Sequence, residues 1–281
     1  MVKEKLSEQP NVFISIPTGV MKEYAVLYML AALQNIDYPA DKLSINIAVT
    51  DRGEPEDPEF TKRLQSLIDN STIKFKVNVT VVTPSIDEKE RWGQYYAVIC
   101  NLHELRKQFL DSNADYFWVL GGDNPPPRHM LHGLLKVDAD VSSGMILQRP
   151  MRAREYDKPG MPYMVDPTPM FWMYLWHMDD IQKRGDLDPR LKEALRACWI
   201  NLPLIFLKAT DKPMIAHKTS FGSGCSLVKR EVMTYLGYYL AEASYCSEDL
   251  QFMQWVHVLG FKTALNTGLH CGHFDPNGAL Y

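Results

Sequence analysis

Short apolar runs alternate with amphipathic stretches through the first half of the chain. Residues 12–16 read as a strand ending at Pro17-Thr18-Gly19, and 43–49 as a second ending at Thr50-Asp51-Arg52-Gly53. A third is expected at 74–82 and a fourth at 116–120. These runs are apolar, mostly branched or aromatic, and bounded by turn residues. Between them, Tyr24, Leu27, Tyr28, Leu30, Ala31 and Leu33 recur near helical spacing, 57–69 reads as a polar helix, and 93–110 as a long one. Strands and helices alternating at this spacing predict a parallel sheet with helices on both faces. The strand ends would then lie along one edge of that sheet.

Beyond Pro127 the pattern gives a short helix and a strand at 140–147. Residues 149–219 hold many prolines and the dense group Met170-Phe171-Trp172-Met173-Tyr174-Leu175-Trp176, with no clear period. This region reads as an irregular insert with a helix near 189–199. Order resumes at 222–232, a strand leading into a helix. Ser247 then caps a helix whose first turn carries Glu248 and Asp249, where acids suit the helix dipole. A strand at 261–265 precedes a final segment containing His270, Cys271 and His273.

Composition narrows the class. The chain has 281 residues, enough for one large domain or two small ones. It is 46% hydrophobic and 23% charged, the balance of a soluble globular protein. A net charge of −4 argues against broad electrostatic binding to nucleic acid, and no apolar run is long enough to span a bilayer. The N-terminal residues are polar and mixed in charge, without the apolar core of a signal peptide. Five widely spaced cysteines point to free thiols in a reducing compartment, so a cytoplasmic location is expected.

The chemistry concentrates at the end of the fourth strand. There Gly121-Gly122 is followed by Asp123, Asn124 and three prolines. Glycines permit close approach of a ligand to the backbone, and a lone acid at the carboxyl end of a buried strand sits where open α/β sheets bind ligands. The same Gly-Gly-Asp-Asn also makes a good turn in any protein, and both readings stand.

Taken in order, these pieces resemble the nucleotide-sugar glycosyltransferases of the GT-A fold, in a family 2-like pattern, from about 11 to 273 with the middle insert poorly covered. The segment 12–19 looks like the family's opening strand, and Val49-Thr50-Asp51 like its second, whose terminal aspartate faces the nucleotide base. Residues 117–123 resemble the strand leading into the Asp-x-Asp metal motif. The segment 222–232 looks like the family's glycine-containing strand with its basic residue and helix. Ser247-Glu248-Asp249 resembles the acid pair opening the acceptor-side helix, and 270–273 the late Gly-His element of the metal site. One departure stands out: Gly121 occupies the place of the first Asp-x-Asp acid, and Asn124 is an alternative oxygen donor.

The resemblance implies an α/β, Rossmann-like, mostly parallel central sheet flanked by helices, with an irregular acceptor-side insert. It implies a single unit over 1–281, its nucleotide-binding half at about 11–147 and its insert and acceptor half at about 148–273. The expected activity is metal-assisted, inverting transfer of a hexose from a UDP- or GDP-linked donor to an unknown acceptor. Nucleotide binding falls to Pro17, Thr18, Gly19, Asp51, Gly122, Asp123 and Arg149, with Arg91 a further phosphate candidate. Asp123 and His273, with His270 in reserve, would hold Mn2+ or Mg2+, a histidine nitrogen suiting manganese better. Asp249, then Glu248, is the expected general base, which a retaining enzyme would not need. His270, Cys271 and His273 match no standard zinc spacing. The aromatic cluster at 170–176 reads as core, acceptor platform or membrane-surface contact. The other classes left open are a nucleotidyltransferase, against which the short loop after the first strand counts, and a non-catalytic nucleotide- or carbohydrate-binding protein.

Overall fold

The computed structural model describes residues 9–50, 57–92, 95–148, 170–175, 200–203, 215–217, 219–238 and 248–274. In chain order the elements are β1 (Val12–Thr18), a 3₁₀ helix (Val20–Ala25), α1 (Val26–Gln34), β2 (Leu43–Thr50), α2 (Phe60–Asp69), β3 (Val77–Val82), α3 (Ile86–Trp92), α4 (Tyr96–Leu110) and β4 (Tyr116–Leu120). There follow α5 (Met130–Leu135), β5 (Val141–Gln148), β6 (Met170–Leu175), β7 (Ile200–Pro203), β8 (Ile215–His217), β9 (Thr219–Phe221), β10 (Cys225–Lys229), α6 (Arg230–Tyr235), α7 (Glu248–Val258) and β11 (Thr263–Cys271).

The central sheet runs β3-β2-β1-β4-β10-β5-β11-β8. Its first four strands are parallel, as are β5 and β11, while β10 lies antiparallel between β4 and β5 and β8 is antiparallel at the far edge. The expected α/β sheet is therefore present, with one reversed strand at its centre. In the insert, β6 pairs antiparallel with β5, β7 and β9. The expected helix near 189–199 falls outside the described residues.

Alternation along the strands divides the core in two. Val12, Ile14 and Ile16 of β1, with Trp118 and Leu120 of β4, join the cluster under α1, α2 and α5. Phe13, Phe117 and Val119 point the other way, into a cluster with Leu102, Leu105 and Phe109 of α4 and Phe252 and Val256 of α7. A strand with both faces covered reads as a continuous apolar run, which is why 116–120 carries no polar residue but Tyr116 at its start. Burial of Phe117 and Trp118 contributes about 1.5–3 kcal/mol for each side chain.

Arg230 closes the end of the sheet away from the strand carboxyl termini. Its guanidinium donates to the carbonyls of Phe109 (2.9 Å), Leu110 (3.2 Å), Ser112 (2.6 Å) and Ala114 (2.7 Å), and lies over the Phe109 ring at 4.6 Å. It thus caps the carboxyl end of α4, where unpaired carbonyls and the helix dipole favour a cation. The basic residue following the glycine-containing strand is a structural cap, at the edge opposite the acids at the strand ends. No helix among the described residues is long and apolar enough to cross a membrane.

Candidate functional site

Strand direction gathers the chemically active segments. β1, β2 and β4 all end at the same edge, and β10, being reversed, begins there. β5 points the same way as β4, and β11 is parallel to β5, so their carboxyl ends arrive there too. Gly19, Asp123, Gly222, Ser223, Gly224 and His273 follow or precede those ends. Thr50 and Gln148 close β2 and β5 at the same edge, while the next residues along, Asp51 and Arg149, lie outside the described residues.

Asp123 is the focus. Its side chain is only 5% exposed, yet its Oδ2 faces three side chains from two segments. Lys22 Nζ, from the 3₁₀ helix after β1, donates to it directly. Tyr24 Oη donates at 3.3 Å, and His273 Nε2 lies 3.4 Å away. Burial raises the acid's pKa, but the hydrogen bond from His273 and the charge and hydrogen bond of Lys22 outweigh it and hold the carboxyl below its ordinary range.

His273 reaches this spot because the turn after β11 is laced to the segment after β4. Gly272 N donates to Pro125 O at 3.0 Å and Phe274 N to Asp123 O at 2.9 Å, bracketing the histidine. Proline lacks an N–H, so its carbonyl is the group Pro125 has to offer. Tyr24 Oη also donates to Phe274 O at 3.1 Å, and Tyr28 stacks on the Phe274 ring at 4.2 Å. His270 is exposed on β11. Cys271 is buried and donates its thiol to Asn124 O at 3.4 Å, an arrangement that does not offer zinc a thiolate.

The missing first acid has a steric reason. A Cβ at Gly121 would fall 2.1 Å from Asn124 Oδ1, and one at Gly224 would fall 2.8 Å from the same atom. Asn124 therefore wedges its amide between two glycines, while its Nδ2 donates to Gly272 O at 3.2 Å. It ties the turn that carries His273. Gly122 is similarly constrained, since a Cβ there would fall 2.5 Å from Thr18 Oγ1. At both glycines the close approach is made by neighbouring side chains of the protein.

Beside the carboxylate opens a cleft of roughly 210 Å³ lined by Pro17, Thr18, Gly19, Lys22, Thr50 and Asn101, among others. Asn101, on α4, shapes its wall by donating to Thr18 O at 3.0 Å and accepting from Thr50 Oγ1 at 3.0 Å. A Cβ at Gly19 would meet nothing within 4 Å, and its φ of −167° is open to any residue, so the protein's own packing does not demand glycine there. On the other flank, Asp249 Oδ2 lies 3.4 Å from Ser223 N, at the start of α7. Neighbouring Glu248 is buried, and that burial, reinforced by the negative charge of Asp249, pushes its pKa up to about 8.

A metal was expected here, and the donor set fits one. Asp123 and His273 converge on one point, offering a carboxylate oxygen and, through Nε2, an imidazole nitrogen. A cation, that of Lys22, already rests on the carboxylate. No cluster of three acidic, histidine or cysteine ligands occurs among the described residues, so solvent or a ligand must complete such a site. Lys22 and Tyr24 were not anticipated. The signal for Lys22 was its place one turn beyond the end of β1.

No family model and no curated protein matches the sequence. Solved structures do share its fold. The mannosyltransferase PcManGT from Pyrobaculum calidifontis, in complex with GDP-Man and Mn2+, superposes with a TM-score of 0.51 at 14% identity, over 94% of this chain and 57% of that one. TarS 1-349 from S. aureus, in complex with UDP-GlcNAc, does so with a TM-score of 0.50 at 10% identity, over 93% of this chain and 57% of that one. The chain thus spans a little over half the length of these structures. It has a GT-A-like glycosyltransferase fold.

Proposed function

We propose that this chain transfers a hexose from a nucleotide-diphosphate sugar to an acceptor hydroxyl, with inversion and with a divalent cation. The observation that carries this reading is the meeting of Asp123 and His273, 150 positions apart, at 3.4 Å beside a cleft at the carboxyl ends of β1 and β2. Ligands of open α/β sheets bind at such an edge.

In this reading the cleft lined by Pro17, Thr18, Gly19 and Thr50 takes the nucleoside, with Asp51 at the base and Arg149 at the phosphates. Asp123 and His273 would hold Mn2+, or Mg2+, which supplies Lewis-acid stabilisation of the diphosphate as it leaves. His270, exposed on β11, is the reserve ligand. Asp249, on the flank away from the cleft, takes the proton of the acceptor hydroxyl. Glu248 beside it, its carboxyl held toward the protonated form by burial, is the second candidate. The irregular sheet of β6, β7 and β9 forms the acceptor side.

Calorimetry with UDP and GDP, with and without Mn2+, tests the donor site. One of the two nucleotides should bind, Mn2+ should strengthen binding, and Asp123→Ala should abolish that gain. Equal affinities with and without metal in the wild type would count against a metal-supported site. Release of nucleoside diphosphate from a panel of UDP- and GDP-sugars then separates an enzyme from a binding protein.

A further inference from the structure

We infer that Lys22 is a phosphate-binding residue that exchanges places with the divalent cation: it rests on Asp123 when the site is empty and turns to the donor's diphosphate when a cation takes the carboxylate. This rests on the nucleotide-sugar reading above and names a residue that reading does not assign.

Four observations lead there. Lys22 lines the cleft together with Pro17, Thr18 and Gly19, the residues at the end of β1. Its ammonium lies on the Oδ2 of Asp123, the oxygen that His273 also faces, so ammonium and metal compete for one position. The lysine is 40% exposed against 5% for Asp123, so its flexible stem is free to swing while the carboxylate stays put. The backbone beneath it is anchored. The next residue, Glu23, is held in a two-pronged pair by Arg63 at 2.7 Å on each oxygen, and Arg63 also reaches Asp57 at 2.8 Å. These contacts tie the 3₁₀ helix that carries Lys22 to α2. Tyr24 remains on Asp123 Oδ2 after the lysine leaves.

Charge balance gives the exchange its direction. Lys22 and Asp123 alone form a neutral pair. A nucleotide-sugar diphosphate is a dianion. One divalent cation and one ammonium around one carboxylate carry the matching opposite charge, whereas the cation and carboxylate without the lysine leave the diphosphate under-neutralised. Entry of the cation displaces an ammonium next to the place where the phosphates arrive.

Lys22→Gln, which keeps a donor for Asp123 but no charge, and Lys22→Arg, which keeps a charge, test this. Calorimetry would compare whichever nucleoside diphosphate the wild type binds with its parent nucleoside, in the presence of Mn2+. Lys22→Gln should lose about tenfold to a hundredfold in diphosphate affinity with nucleoside affinity unchanged, and Lys22→Arg should recover most of the loss. Electron paramagnetic resonance titration of Mn2+ alone should show tighter binding to Lys22→Gln than to wild type, because a neutral amide yields the carboxylate more readily. Unchanged diphosphate affinity, equal losses for diphosphate and nucleoside, or unchanged Mn2+ binding would overturn the exchange. A wild type that binds no nucleoside diphosphate would instead remove the donor reading, and this inference with it.

Discussion

Gly121→Ala isolates the steric account of the missing acid. The new Cβ would lie 2.1 Å from Asn124 Oδ1 and 3.1 Å from its Cγ, well inside van der Waals contact. Asn124 is buried and has little room to retreat. Gly224 walls its oxygen on the other side, and its amide is committed to Gly272 O at 3.2 Å. Overpacking of this kind costs about 1–3 kcal/mol, and loss of the amide bond adds about 1 kcal/mol. The variant should therefore be destabilised by about 2–4 kcal/mol in urea unfolding monitored by tryptophan fluorescence, with the slope of the transition unchanged. The double variant Gly121→Ala/Asn124→Ala removes the clash. It should be more stable than Gly121→Ala and no less stable than Asn124→Ala, a non-additivity that identifies the contact. By the same logic Gly121→Asp alone should not restore an Asp-x-Asp site, whereas pairing it with Asn124→Gly gives the acid room. A cost below about 0.5 kcal/mol for Gly121→Ala, or strict additivity in the cycle, would refute the wedge.

Gly19→Ala should leave urea stability within about 0.5 kcal/mol of wild type, since its Cβ meets nothing within 4 Å, while weakening nucleoside diphosphate binding in calorimetry because that Cβ enters the cleft. Asp249→Asn keeps shape and capping but removes the base, so turnover should fall by about a hundredfold to ten-thousandfold with donor affinity intact; persistent transfer would shift the role to Glu248 or indicate retention. Glu248 binds its proton more tightly folded than unfolded, so its contribution to stability is full below the ordinary carboxylate range and is lost as pH rises to about 8. Urea midpoints from about pH 5 to 9 should fall with pH in wild type, and the slope should flatten in Glu248→Gln.

Much of the fold was legible because it was local. β1, β2 and β4 announced themselves as apolar runs cut off by Gly, Pro or Asp, and Asp123 was conspicuous as the first charge after a fully buried strand. Misplacements had physical causes. α3 leaves no signal in the apolar pattern because Ile86–Trp92 is charged almost throughout and shows no apolar face. The apolar spacing reads as one first helix, but its opening turn, Val20–Ala25, is 3₁₀, and that tighter winding helps set Lys22 and Tyr24 against Asp123. β11 runs to Cys271 rather than stopping near 265, because its second half pairs with Met145 and Ile146 of β5 across a bulge after Asn266. Long-range pairing leaves no periodic trace in the paired segment.

The placing of Asp249 at the same sheet edge as Asp123 depends on a feature no local pattern encodes, the reversal of β10. Had β10 run parallel to β4, Gly222, Ser223 and Gly224 would sit at the far edge beside Arg230's present position, and Asp249 would have nothing at the site to lean on. Reversal also explains why two neighbouring parts of one segment have opposite fates. Gly224 enters the strand at the site, where its carbonyl accepts from Gly121 N at 2.9 Å, and Arg230 leaves it at the other end to cap α4. A glycine and a basic residue close in sequence are thus separated by the length of a strand. Proximity in sequence to a site motif is therefore weak ground for assigning a cation to the phosphates. Lys22, far from Asp123 in the sequence, meets it because parallel neighbours β1 and β4 end side by side.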